Sequence, residues 1–333
     1  MTKFRLVPPA GAPVPPHAVL SATFRLGDDG RDLTGLLRDQ LKVRHVFAVS
    51  SGRAALTIIL QALKRVSGRR EVVIPAYTCF SVPSAVARAG LTIRLCDVDP
   101  KTLDLDQSAL LRLDLDRVLC IIPSSLYGIP ADLVTLERLS RASGAFLVDD
   151  AAQCLGATAD KRPCGTFGDA GFYSFGRGKN ISTMGGGILL TSREDLAHLI
   201  QNEVNKLPRP SSVNVLSSIV NSLLYAVMLH PSRYWIPNGI PFLELGESRF
   251  DPNFKIARLS AYQTRLAAQL FPFVDSYNGI RRDNADRLQA GIEGLEGIEI
   301  PRAGQGANPV YLRFPILARD GTHRARLLGR LRG

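Results

Sequence analysis

Lys179 stands among small and polar residues, Ser174-Phe175-Gly176-Arg177-Gly178-Lys179-Asn180, between two apolar runs that read as strands at 170–174 and 188–190. Carbonyl–amine chemistry needs a lysine that is partly desolvated, so that its amine is neutral and nucleophilic, and adjacent Arg177 is expected to help depress its pKa. A lysine in a glycine-containing loop is ordinarily a solvated surface residue. The company it keeps carries the assignment. Such chemistry also needs an electron sink, and a pyridine ring acts as one while a fixed carboxylate keeps its nitrogen protonated. Asp150 ends the apolar run 146–148 and suits that task, its ordinary alternative being a helix N-cap. Gln153, three residues on, has the reach to contact a phenolic oxygen on the same ring. A phosphate handle is best received by backbone amides at a helix N-terminus. Ser51-Gly52-Arg53-Ala54-Ala55 supplies such a turn, with Gly52 permitting close approach and the helix dipole favouring the anion. Ser174, five positions before Lys179, adds a hydroxyl.

These residues fall at the ends of predicted elements. Short apolar runs at 72–74, 91–95, 118–122 and 146–148 alternate with helical patterns at 54–63, 82–89 and 133–142. That alternation predicts an α/β fold, a mostly parallel central sheet with helices on both faces. Ligands in such sheets sit beyond the carboxyl ends of the strands. The loops at 50–53, 75–80 and 149–153 are therefore where a site is expected. Further on, 254–293 reads as two long helices, 310–316 as a strand and 322–331 as a basic helix. The expected organisation is an extended N-terminal arm (1–30), a large cofactor-binding α/β domain (31–250), and a helical connection with an incomplete small C-terminal domain (251–333).

The chain has 333 residues, ample apolar content for a buried core, and 41 Lys plus Arg against 30 Asp plus Glu. The net charge of +11 speaks for anionic partners rather than for a fold. Nucleic acid has only that charge and the helix carrying Arg324, Arg326, Arg330 and Arg332 behind it, and a solvated basic face accounts for both. Five scattered cysteines without a CxxC pair predict reduced thiols and no metal site. The proline-rich start lacks an apolar core of signal-peptide length, which predicts a cytoplasmic protein. Segment 213–229 is strongly apolar, but short for a membrane span, and Asn214, Ser218, Asn221 and Ser222 stripe it. We expect a helix packed in a subunit interface or under the small domain, the alternative being peripheral contact of 213–235 with the inner membrane.

The order and spacing of Ser51-Gly52-Arg53-Ala54-Ala55-Leu56, Ile74-Pro75-Ala76-Tyr77-Thr78, Cys96-Asp97-Val98-Asp99, Leu126-Tyr127-Gly128-Ile129-Pro130-Ala131-Asp132, Asp150-Ala151-Ala152-Gln153, Gly165-Thr166-Phe167-Gly168-Asp169 and Ser174-Phe175 through Lys179-Asn180 resemble the DegT/StrS-type aminotransferases. The resemblance runs from about residue 45 to 205 and resumes more weakly at 258–288. It implies a pyridoxal 5'-phosphate fold of the aspartate-aminotransferase type, homodimeric, with the active site at the subunit interface. Lys179 would then form the Schiff base, Asp150 would pair with the pyridine nitrogen and Gln153 with the phenolic oxygen. Ser51, Ser174 and the Gly52 and Arg53 amides would hold the phosphate. A sister group replaces the lysine with histidine and removes a hydroxyl. Lys179 argues against that activity here.

The chain departs from the family pattern where substrate is expected. Arg53 replaces a threonine and Cys79 an aromatic that stacks on the cofactor ring, leaving Phe80 or Tyr77 for that task. Ile256 and Ala257 stand where the family has asparagine and tyrosine. The chain also stops soon after the strand around Phe314, where relatives continue. The expected activity is transfer of an amino group, from glutamate or another amino acid, to an anionic, nucleotide-linked keto-sugar in glycan assembly. The alternatives are a non-sugar carbonyl substrate or a catalytically silent binding protein.

Overall fold

The structure, a computed structural model, describes residues 6–8, 11–24, 32–240 and 248–332. Seven short strands build the central sheet: β1 (His45–Val49), β2 (Glu71–Pro75), β3 (Thr92–Cys96), β4 (Val118–Ile121), β5 (Phe146–Asp150), β6 (Ala170–Ser174) and β7 (Gly187–Thr191). Their spatial order is β1-β7-β6-β5-β4-β2-β3. The pairs from β3 across to β6 are parallel, and β7 runs antiparallel to both of its neighbours.

Helices cover both faces. In chain order they are α1 (Pro16–Phe24), α2 (Leu33–Leu41), α3 (Gly52–Val66), α4 (Ser81–Arg88), α5 (Gln107–Leu111), α6 (Leu133–Ser143), α7 (Glu194–Lys206), α8 (Ser212–Met228), α9 (Trp235–Asn238), α10 (Ala261–Leu270), α11 (Val274–Ile292) and α12 (Gly321–Arg332). Successive side chains of a strand point to opposite faces, so each buried strand feeds two cores. Val73 of β2, Leu147 of β5 and Ile188 and Leu190 of β7 join Val19, Leu37, Leu136, Leu266 and Val274 in one. Val72 and Ile74, Val148 and Leu189 join Ile59, Val86 and Ile200 in the other. Each such Ile or Leu contributes about 1.5–3 kcal/mol on burial.

Three segments differ from the sequence expectation. Residues 254–260 are extended rather than helical, because β1 captures them: Ser50 N donates to Ala257 O (2.9 Å) and Ala257 N to Ser50 Oγ (3.1 Å). The helix begins only at Ala261, capped by Ser260 Oγ, which accepts from Gln263 N at 3.2 Å. Within the expected arm, residues 16–24 form α1, which buries Ala18, Val19 and Ala22 against α10 and accepts a bond from Arg265 Nε at Ala22 O (2.7 Å).

Residues 310–316 do not form the expected strand. Short strands flank them instead, at Ala307–Asn308 and Leu317–Ala318. The 310–313 backbone bonds to the turn at Leu126–Gly128: Val310 N donates to Gly128 O (2.8 Å) and Arg313 N to Tyr127 O (3.2 Å). Gly128 makes this possible on two counts. Its φ is +81°, and a Cβ there would lie 2.6 Å from Leu312 N. Gly128→Ala should therefore cost about 1–3 kcal/mol through strain and collision with backbone. We expect a lower urea midpoint and faster proteolysis within 305–320; unchanged values for both would refute the docking.

Candidate active site

The carboxyl ends of β1, β5 and β6 and the amino end of antiparallel β7 lie at one edge of the sheet, and the sequence-predicted residues converge there. Ser51 follows β1 in an extended conformation and caps α3, its Oγ accepting from Ala54 N at 3.1 Å. The Gly52 and Arg53 amides are the first of the helix and have no intrahelical partner. A Cβ on Gly52 would lie 2.9 Å from Ser174 Cβ and 3.2 Å from Ser174 Oγ, so glycine alone lets the end of β6 approach the turn. The helix N-terminus and the Ser174 hydroxyl form a cradle suited to a phosphate.

Asp150 is buried at the end of β5. One carboxylate oxygen accepts from Ala152 N (3.0 Å) and the other from Ser124 Oγ (3.4 Å), which in turn pairs with Thr78 Oγ1 (2.9 Å). Burial raises the Asp150 pKa; these hydrogen bonds and the charge of Lys179 act against the rise. Lys179 shows the converse. Desolvation pushes its pKa down, Asp150 and Cys79 push it back up, and Arg313 adds to the fall. The two groups thus sense each other across the pocket, while Lys179 keeps part of its surface accessible.

Gln153 turns its carbonyl toward the backbone, Oε1 accepting from Tyr127 N at 3.0 Å. Its amide nitrogen is left as the donor a phenolic oxygen requires. Tyr77 and Phe80, the two rings open to the stacking role, are half exposed after β2. Phe80 precedes α4, and Tyr77 shares a hydrogen bond with Tyr127 through their hydroxyls (2.5 Å). Arg53 brings only its amide to the cradle, since its guanidinium stacks over the Phe254 ring at 4.7 Å, with Arg88 beside the same ring at 5.9 Å. Cys79 lies 3.9 Å from Ser248 Oγ, on the segment that carries Phe254.

Sequence reasoning missed the groups that hold the Lys179 loop. Asn180 Nδ2 donates to Asn278 Oδ1 (3.2 Å), Asn278 Nδ2 to Leu155 O (2.9 Å), and Arg281 spans Asn278 Oδ1 (2.8 Å) and Asn180 O (3.3 Å). Asn278 and Arg281 are three apart on α11 and so share a face. That spacing was the available signal, hidden among the many polar residues of the helix. Arg313 was likewise placed on a strand rather than near the lysine.

The set fits a phosphate-bearing pyridine aldehyde: an anion cradle, a buried carboxylate and a desolvated amine. The signs of the charge effects give a paired prediction. Asp150→Asn removes a group that raises the Lys179 pKa, and Arg313→Gln removes one that lowers it. The pH profile of amine labelling at Lys179 in cofactor-free protein should move to lower pH in the first variant and to higher pH in the second. Shifts in the same direction would contradict the arrangement.

Comparison with known proteins places the chain in a family. A family model, the DegT/DnrJ/EryC1/StrS aminotransferase family, matches residues 17–333. The chain is 28% identical over 307 residues to UDP-N-acetyl-3-dehydro-alpha-D-glucosamine 3-aminotransferase of Acidithiobacillus ferrooxidans, covering 91% of this chain and 73% of that one. It is 34% identical over 159 residues to GDP-perosamine synthase of Caulobacter vibrioides, covering 48% of this chain and 43% of that one. In fold it is similar to the sugar aminotransferase CalS13 from Micromonospora echinospora, with a TM-score of 0.75 at 21% identity over 98% of this chain and 83% of that one. The chain belongs to the DegT/DnrJ/EryC1/StrS aminotransferase family, whose chemistry runs on pyridoxal phosphate.

Proposed function

We propose that this protein transfers an amino group from an amino acid, glutamate in the first instance, to the carbonyl of a nucleotide-linked keto-sugar during glycan assembly. The observation that carries the proposal is the Lys179 amine, desolvated and sensing the charge of buried Asp150, on the loop that follows Ser174, itself packed against the N-terminus of α3. Family membership and the sugar-nucleotide activities named for the relatives from A. ferrooxidans and C. vibrioides support the substrate class. Net charge, together with Arg313 near the lysine, suits an anionic substrate.

Pyridoxal phosphate, when bound, supplies the electron sink that lets an α-proton leave an amino acid. The residues of the chain do the rest. Lys179 Nζ would hold the cofactor's aldehyde carbon, and its lowered pKa favours the neutral amine that can take a proton from the donor's α-carbon and return it nearby. Asp150 would keep a proton on the ring nitrogen, its burial favouring a shared proton over a solvated charge. Gln153 Nε2 would donate to the phenolic oxygen. Ser51, Ser174 and the Gly52 and Arg53 amides would hold the phosphate, with Phe80 or Tyr77 against the ring. Histidine at position 179 would give the dehydrating sister activity; lysine supports transamination.

In this reading the enzyme is a cytoplasmic homodimer with a large domain at 31–250 and a smaller one at 251–333. Half-exposed Tyr77 and Phe80 and exposed Leu95 suit a rim that a partner subunit covers.

Glutamate added to the protein reconstituted with pyridoxal phosphate should convert the visible absorption of the lysine-bound cofactor to a shorter wavelength, with one equivalent of 2-oxoglutarate released per site. Lys179→Ala should show neither change. A visible band that ignores every amino acid offered would sink the transaminase reading and favour a silent binder.

A further inference from the structure

Helix α8 presents three faces. Val215, Ile219, Leu223 and Ala226 pack inward on the core beside α1 and α10, and Ser222 is turned inward with them. Asn214, Ser217 and Asn221 form a polar flank, with Asn221 Nδ2 bonded to Ser217 Oγ at 3.2 Å. The third face is apolar and bare: Val213, Leu216, Val220, Leu224 and Val227 are 75%, 62%, 47%, 52% and 40% exposed. At 100° per residue these five fall within a stripe about 80° wide along the whole helix. Just beyond, α9 exposes Trp235 (42%) and Ile236 (40%). A continuous apolar strip of this length on a surface marks an interaction site.

Charge selects the partner. From residue 204 to 243 the sequence holds no Asp or Glu, while Lys206, Arg209, His230 and Arg233 flank the strip. Arg209 and Arg233 are exposed beyond the two ends of α8. Two copies meeting through this face would bring like charges together with no carboxylate in the segment to answer them. A bilayer with anionic headgroups answers them directly and takes the apolar stripe and an interfacial tryptophan at the same depth. Among the described residues no helix is long and apolar enough to cross a membrane, so α8 would lie in the plane of the surface.

We propose that α8 and α9 dock this enzyme on an anionic phospholipid surface, the stripe from Val213 to Val227 and Trp235 entering the headgroup region between Arg209 and Arg233. Arg209, Val220, Leu224 and Arg233 are not among the residues placed around Lys179, so changing them leaves that chemistry readable.

Trp235 is the only tryptophan, so emission reports on this site directly. Holoenzyme mixed with phosphatidylcholine vesicles containing about a quarter phosphatidylglycerol should sediment with them and show a blue-shifted emission. Pure phosphatidylcholine should bind it much more weakly. Arg209→Gln and Arg233→Gln should each weaken binding about fivefold at low salt, and Val220→Glu with Leu224→Glu should abolish it while leaving the circular dichroism spectrum and the cofactor band intact. Absence of sedimentation and of a blue shift overturns the proposal. So does a doubly substituted protein that binds as well as the parent, or one whose mass in solution halves, which would make the strip a contact between copies.

Discussion

An amine and a carboxylate removed together from water constrain each other: desolvation alone would neutralise both, and mutual attraction alone would charge both. In this protein the balance falls between Lys179 and Asp150, and much of the local architecture serves to hold it. Asp150 ends a strand whose Leu147 and Val148 anchor it in the two cores. Lys179 sits on a loop held through Asn180 by Asn278 and Arg281 of α11. Were either support slack, water would enter and the lysine would revert to an ordinary solvated cation.

The antiparallel β7 has a part in this. Its first residue, Gly187, is packed so closely that a Cβ there would lie 2.2 Å from Ser51 O, and Gly186 N bonds to Ser50 O at 2.8 Å. The glycine stretch 185–187 thus lets the return strand pass beside the phosphate cradle. The cradle, the carboxylate and the lysine loop are consequently parts of one packed unit. Against it lies the 248–257 segment, with Phe254 under the guanidiniums of Arg53 and Arg88. Arg53 thus gives its side chain to that stack and only its amide to the cradle.

Much of the site was legible in the sequence because its members sit at strand ends, where short apolar runs stop at Val49, Val148 and Tyr173. What was not legible depended on contacts far apart in the chain. The apolar residues of 254–260 mimic the helix that follows, and bonds to Ser50 and Pro208 keep them extended. Residues 310–316 have strand composition, yet Gly128 and the turn at Tyr127 claim their backbone before a strand can. Asn278 and Arg281 look like any polar pair on a surface helix, and their meaning appears only when α11 lies against the lysine loop. For α8 the apolar periodicity was plain, but which side of the helix would stay uncovered was not.

Every part of this account turns on a single nitrogen. The sequence holds eight lysines, and Lys179 alone among those described is desolvated opposite a buried carboxylate. The protein should therefore be loaded with pyridoxal phosphate, reduced with borohydride, digested and mapped by mass spectrometry. The account predicts one pyridoxyl phosphate group per chain, on the peptide containing Lys179. Label spread over exposed lysines, or concentrated on a lysine other than 179, would contradict it.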